Sequence, residues 1–348
     1  MESIGIVEGF FGPQWPERDR RSFAEFLGRF GGGFYIYAPK QDPHLRKAWR
    51  DPWSSEYVAK LDELCRHFKS HGVAFGVGFS PFGLGLALSE ADEKFLEEKL
   101  RILSDLKIDV LGLFFDDMPV TENLARTQVE AGDLIRRFYR GKIVFCPSFY
   151  SDDPILEKVF GKKPDRYLED VARLLPPEVS IAWTGPKVIS PEISGEHLRE
   201  VAELLKRKPF IWENLYANDG PRNCKFLKLK PFTGRTEATF REAEAFAFNM
   251  MNQPNLSKIV YLASKYVLEE NTESEEALQR SLRELTSEGF RDFFRKNRDS
   301  LARSLDDLTP EQRASLRTEA TSLVDAAAAE IRDWLDGVYT VGSECLTD

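Results

Sequence analysis

The sequence predicts an α/β fold, a (β/α)8 barrel followed by a small all-helical appendage, from three observations. Short, nearly continuous apolar runs recur along the chain in the pattern of buried parallel strands. Helical periodicity separates them up to about residue 270, and the eight-fold count favours a closed barrel over an open sheet. Beyond that point only helical periodicity continues. A chain of 348 residues, 42% apolar, has room for one barrel of roughly 250 residues and a smaller unit. The expected division is 1–270 for a catalytic barrel and 271–348 for a helical C-terminal domain.

Taken in order, strands are expected at 4–8, 34–38, 74–79, 109–115, 142–146, 180–183, 210–213 and 247–251. Ser54 or Ser55 opens a helix that Gly72 stops. Ser89, with Asp92 three residues on, reads as a capping box ahead of Phe95-Leu96. A helix over 197–208 ends at Pro209, and another runs over 236–246. Past Glu269-Glu270-Asn271, helices are expected over 273–298 and 309–335. The run Ala326-Ala327-Ala328-Ala329 offers either an internal packing face or the face of a homodimer.

Composition removes several function classes. A net charge of −9 and a pI near 5.3 argue against a nucleic-acid partner, which needs a basic footprint. The basic run Arg46-Lys47-Ala48-Trp49-Arg50 reads as a solvated face. No stretch approaches the ~18 apolar residues of a membrane span. Met1 to Val7 begin directly in a strand pattern without a basic leader, so the expected location is cytoplasmic. Cys65, Cys146, Cys224 and Cys345 form no Cys-x-x-Cys pair, which argues against a disulfide framework or a zinc site. His67 and His71 share a helix face, but without a neighbouring carboxylate they read as a solvated helix end. No metal or cofactor is expected.

The chemistry is expected at the carboxyl ends of the strands, where barrels place their sites. Asp116 and Asp117 end the apolar run Val110-Leu111-Gly112-Leu113-Phe114-Phe115. Successive strand side chains point to opposite faces, so both acids can meet one ligand only if the strand dissolves there. Pro119 suggests that it does. Other strand ends supply Gly9, Lys40, Tyr150, Trp212, Asn214 and, in the following loop, Asp219. Aromatic faces beside Asp, Asn and Lys suit a sugar, which offers flat apolar surface and many hydroxyls. Singly, each has a plainer account: Lys40 as a loop lysine, Trp212 and Tyr150 as core aromatics, Asn214 and Asp219 as turn residues. Glu8 reads as a structural group that holds the barrel mouth together.

Several segments resemble glycoside hydrolase family 84, the O-GlcNAc hydrolases and related bacterial β-N-acetylglucosaminidases. They are Gly5-Ile6-Val7-Glu8-Gly9-Phe10-Phe11-Gly12, Tyr35-Ile36-Tyr37-Ala38-Pro39-Lys40, Phe114-Phe115-Asp116-Asp117, Trp183-Thr184-Gly185-Pro186-Lys187-Val188 and Ile211-Trp212-Glu213-Asn214 with Ala217-Asn218-Asp219. The resemblance covers roughly residues 3 to 260, in order and at barrel-compatible spacing. It implies a retaining, substrate-assisted hydrolysis in which the sugar's 2-acetamido carbonyl attacks the anomeric carbon, outside the usual two-carboxylate scheme. By position in the motif, Asp116 would orient the acetamido N–H, and Asp117 would protonate the leaving oxygen and then activate water. The resemblance also implies that Gly9, Lys40, Asn214, Asp219 and Asn255 contact the sugar, with Tyr150 and Trp212 enclosing its acetamido group. The implied partner is a glycoprotein or glycoside bearing N-acetylglucosamine, with no nucleic acid and no membrane. A non-catalytic barrel that binds such glycoproteins is the alternative, and it would need a lost acid. A metal-dependent hydrolase would need further ligands at the strand ends. Departures are Ser148-Phe149-Tyr150 where the family often has Thr-Glu-Tyr, Phe11 for Tyr, and Tyr216 where relatives often have His.

Overall fold

In the computed structural model, which describes residues 3–84 and 88–347, eight parallel strands close into a barrel in chain order. Met1 and Glu2 lie outside the described residues. The strands are β1 Ile4–Glu8, β2 Phe34–Tyr37, β3 Ala74–Phe79, β4 Val110–Phe114, β5 Lys142–Cys146, β6 Ser180–Trp183, β7 Phe210–Glu213 and β8 Ala245–Phe248. Closure is made by Ile4 to Ile6 of β1 against Phe246 to Phe248 of β8. Helices α1 Glu17–Arg29, α2 Ser55–Ser70, α3 Glu90–Asp105, α4 Leu124–Phe138, α5 Ile155–Phe160, α6 Tyr167–Leu174, α7 Gly195–Leu205, α8 Glu237–Glu242 and α9 Pro254–Glu270 follow the strands. Among the described residues, no helix is long and apolar enough to cross a membrane.

Local chemistry sets many of these boundaries. Ser54 caps α2 by accepting the Tyr57 N–H at 3.1 Å. Ser89 caps α3 by accepting from Asp92 N–H at 3.0 Å, but the Asp92 carboxylate turns to Arg50 Nε at 2.6 Å instead of completing the box. Inside the barrel, bulk is balanced by absence. A Cβ on Gly112 would lie 2.2 Å from Phe114 Cζ, so glycine there is what lets the phenyl ring fill the interior.

Two expectations are corrected at strand eight. The helix over 236–246 ends at Glu242, and the strand over 247–251 begins two residues earlier, at Ala245. Ala245 pairs with Phe210 and Phe246 with Ile4, so barrel closure claims residues that local propensity gave to a helix.

Beyond α9, the two expected helices each divide, into α10 Ser274–Leu285 with α11 Glu288–Leu301, and α12 Pro310–Thr321 with α13 Ala326–Leu335. Ser287 caps α11, accepting from Phe290 N–H at 3.2 Å. Thr309 and Gln312 form a reciprocal capping box at α12. Helices α10 and α13 pack on α9, and one apolar core runs from the barrel into them. Ala327 and Ala328 are buried in that packing while Ala326 is exposed. Glu330 of α13 accepts the first N–H groups of α9, Asn255 at 2.7 Å and Leu256 at 2.8 Å, which ties the two parts together.

Candidate active site

The end of β4 organises the site. Asp117 adopts φ +56°, the left-handed region that residues other than glycine enter rarely. That turn breaks the strand alternation, and both Asp116 and Asp117 line one recess. Ser148 steadies the turn from β5, donating to the Phe115 carbonyl at 2.8 Å while accepting from Gln128 at 2.7 Å.

The two carboxyls are unequal. Asp116 is buried, and one of its oxygens accepts from Lys40 Nζ. Its other oxygen, Oδ1, is buried with no hydrogen-bond partner among the described residues. An unsatisfied buried acceptor costs ~1–3 kcal/mol or more, so this atom is positioned for a donor brought by a ligand. Asp117 accepts from the Tyr150 hydroxyl at 3.0 Å. Burial, then the neighbouring Asp116 charge, holds its pKa above the usual carboxyl range, with Lys40, Arg46 and Tyr150 opposing. One acid is therefore anchored by a cation and the other is disposed to keep its proton.

The remaining wall is aromatic and amide. Trp212 meets Phe114 edge-on, with centroids 5.0 Å apart, and lies against Gly9, where a Cβ would be 2.3 Å from Trp212 Cζ2. Gly9 thus makes room for the indole. Asn214 donates to the Val188 carbonyl at 2.9 Å and accepts from Asn249 at 3.0 Å. Asp219 accepts from Phe11 N–H at 2.9 Å, and burial pushes its pKa up to about 6 despite that bond. Asp117 and Asp219 both keep part of their surface open to the recess.

Gly9, Lys40, Asp116, Asp117, Tyr150, Trp212, Asn214 and Asp219 all line this recess. Asn255 is not brought to it. It begins α9, where its amide donates to Glu330 at 2.7 Å and its oxygen accepts from Lys258 at 3.2 Å. The structure adds Asn249, hidden from sequence reading because the misplaced strand eight put it mid-strand rather than at a carboxyl end. It also adds Cys345 and Thr347, from a tail that carries no motif. Tyr216, one of the departures, donates to the Lys230 carbonyl at 3.2 Å and lies outside the recess.

Away from the site, the fold supplies what the sequence did not show beside His67 and His71. Glu25 of α1 joins them, with one ligand atom of each within 4.8 Å of the others. This trio shares no residue with the recess. Each imidazole already uses one nitrogen on a backbone carbonyl, His67 with Arg21 at 3.2 Å and His71 with His67 at 2.9 Å.

Comparison with known proteins agrees with this geometry. A family model described as beta-N-acetylglucosaminidase matches residues 4–301. The Protein O-GlcNAcases of Rattus norvegicus and Mus musculus are each 34% identical to the chain over 245 residues. Those matches cover 67% of this chain but 26% of each relative, so the chain spans only a minor part of the curated relatives' length. A solved Thermobaculum terrenum O-GlcNAc hydrolase mutant superposes with a TM-score of 0.78 at 26% identity, over 95% of this chain and 80% of that one. A structure of CpGH84B gives a TM-score of 0.76 at 22% identity, over 95% of this chain and 66% of the other, a likeness of fold.

Proposed function

The chain belongs to the beta-N-acetylglucosaminidase family of glycoside hydrolases, and from that premise we propose that it removes terminal β-linked N-acetylglucosamine by substrate-assisted hydrolysis. The observation that carries the reading is the inequality of the two aspartates. Asp116, held by Lys40, offers Oδ1 to the acetamido N–H, which turns the acetamido carbonyl oxygen toward the anomeric carbon. That oxygen forms the new bond to carbon as the bond to the leaving oxygen breaks, giving an oxazolinium ring whose positive charge and N–H are held by the Asp116 carboxylate. Asp117 gives its proton to the leaving oxygen, then takes one from the water that opens the ring. Trp212, Tyr150 and Gly9 form the wall around the acetamido methyl, and Asn214 and Asp219 meet the hydroxyls.

Adjacent residues on one loop supply both carboxyls, whereas double displacement places two on opposite faces of the sugar. The named relatives support Ser or Thr of modified proteins as the natural leaving group. Free thiols at Cys65, Cys146, Cys224 and Cys345 fit a reducing, cytoplasmic setting. In this reading residues 1–270 carry the chemistry, and 271–348 form a helical unit that braces α9.

The test is turnover of an aryl β-N-acetylglucosaminide beside its N-trifluoroacetyl analogue. Fluorination drains the carbonyl of basicity, so the rate is expected to fall steeply. Equal rates would indicate a nucleophile from the protein. No turnover of either sugar would favour a barrel that only binds.

A further inference from the structure

A second recess adjoins the first, about 800 Å3 of empty space that includes open solvent at its mouth, and Asp117, Lys40 and Phe11 line both. The tail divides them: Cys345 and Thr347 line the sugar recess, whereas Glu344 and Leu346 line the second. Val341 anchors this segment against Phe11 and Cys224, and Gln41 donates to the Glu344 carboxylate.

The wall of the second recess holds Arg46, whose basic run reads from sequence as a solvated face. In the fold Arg46 is only 6% exposed. Its guanidinium lies 5.5 Å from the Phe11 ring and 4.9 Å from the Phe82 ring. Its Nη1 is buried with no hydrogen-bond partner among the described residues. A buried guanidinium with an unused N–H is costly unless an anion joins it in the working state. Lys47 adds a second cation, and Phe82, Val159 and Phe160 supply apolar sides. Lone phosphate would gain nothing from that apolar lining; a carboxylate on an alkyl stem would use both features. The tail brings a carboxylate to the rim of this recess in Glu344, which accepts from Gln41 and leaves Arg46 free for a ligand.

We propose that this recess is the leaving-group subsite, and that Arg46 makes it selective for peptides with an acidic side chain beside the glycosylated Ser or Thr. The assignment rests on the proposed hydrolysis, because it takes Asp117, shared by both recesses, as the donor to the leaving oxygen. The segment 343–346 is then an internal occupant that a substrate peptide displaces.

The experiment compares kcat/KM on two peptides bearing β-N-acetylglucosamine on serine, one flanked by Glu and one by Gln, with an aryl β-N-acetylglucosaminide alongside. In the unaltered chain the Glu peptide is expected to be preferred by about 10-fold or more, the worth of a charge-assisted hydrogen bond. Arg46→Gln should bring the ratio close to one, and Arg46→Lys should keep part of it. Glu344→Gln, a surface change that leaves Arg46 in place, should loosen the tail and raise kcat/KM on both peptides by roughly two- to five-fold, because each must displace segment 343–346. A ratio near one in the unaltered chain, or one that survives Arg46→Gln, overturns the subsite. If Arg46→Gln fails to fold, Arg46→Lys and Glu344→Gln decide: an unchanged Glu-to-Gln ratio in the first, or no gain on either peptide in the second, overturns it too. Loss of aryl glycoside turnover in the unaltered chain would instead sink the hydrolase reading itself.

Discussion

Carboxylates stand at the ends of β1 and β7 and just beyond the end of β4, and the buried ones of β1 and β7 differ in kind from the pair that follows β4. Glu8 accepts from Arg20 at 2.8 and 2.7 Å and from the Tyr35 hydroxyl. Glu213 accepts from Arg235 at 2.7 and 2.8 Å and from Leu215 N–H at 2.9 Å. In both, each oxygen faces a fixed partner and solvent is excluded. Asp116 has one lysine and one unused oxygen, and Asp117 has one tyrosine hydroxyl beside a like charge. Saturation ties a strand end to a helix at Glu8 and to the segment before α8 at Glu213; deficit leaves capacity for a ligand. Burial alone therefore does not mark a carboxyl as available to a ligand, but the count of satisfied oxygens separates the two classes here.

Asp117→Asn should produce the largest effect. On the proposed role, losing this proton donor is expected to reduce kcat by ~10²–10⁴-fold on substrates with poor leaving groups, and far less on activated aryl glycosides. Melting temperature should hold or rise, because a carboxyl that burial disfavours has been removed. An equal loss across leaving groups would exchange the roles assigned to the two aspartates.

Glu213→Ala should do the reverse. It leaves Arg235 buried without its partner, a change expected to cost about 3–5 kcal/mol of stability. Denaturant unfolding should show that loss, while kcat/KM on the folded fraction stays near that of the unaltered chain. A specific catalytic defect at full stability would break the distinction between saturated and unsaturated carboxylates.

Much of this contrast was legible in sequence, for reasons that also explain the gaps. The ends of β1, β3, β5, β6 and β7 fall where apolar runs meet glycine, proline or polar residues, a local signal. Asp116 and Asp117 stood out for the same reason. Strand eight did not, because Ala245 and Phe246 are set by pairing with β7 and β1, across the chain, and Asn249 was lost with it. Asn255 matched a motif position, but the Glu330 carboxylate, 75 residues away, holds it at the start of α9. Arg46 and the tail depend on contacts between distant segments that no periodicity encodes.

Asp219 lies between the two classes and gives the smallest expected effect. One oxygen accepts a fixed N–H from Phe11, and the carboxyl also opens to the recess with its pKa pushed up to about 6 from an ordinary 3.8. If it meets sugar hydroxyls as a carboxylate, kcat/KM should rise as pH passes about 6 and the group ionises. Asp219→Asn should lower kcat/KM at neutral pH by about 10- to 100-fold and remove that part of the acid limb. Its effect on stability has a definite sign. The folded chain holds this proton more tightly than the unfolded chain, so the unaltered protein loses stability, relative to the Asn variant, as pH rises from about 4 through about 6. The gap at neutral pH should be on the order of 1 kcal/mol in favour of Asn, since the recess is partly wet and each pKa unit corresponds to ~1.4 kcal/mol. Melting curves of the pair from pH 4 to 7 check this. Parallel curves would mean that Asp219 titrates as an ordinary carboxyl and that the Phe11 N–H, not burial, governs it.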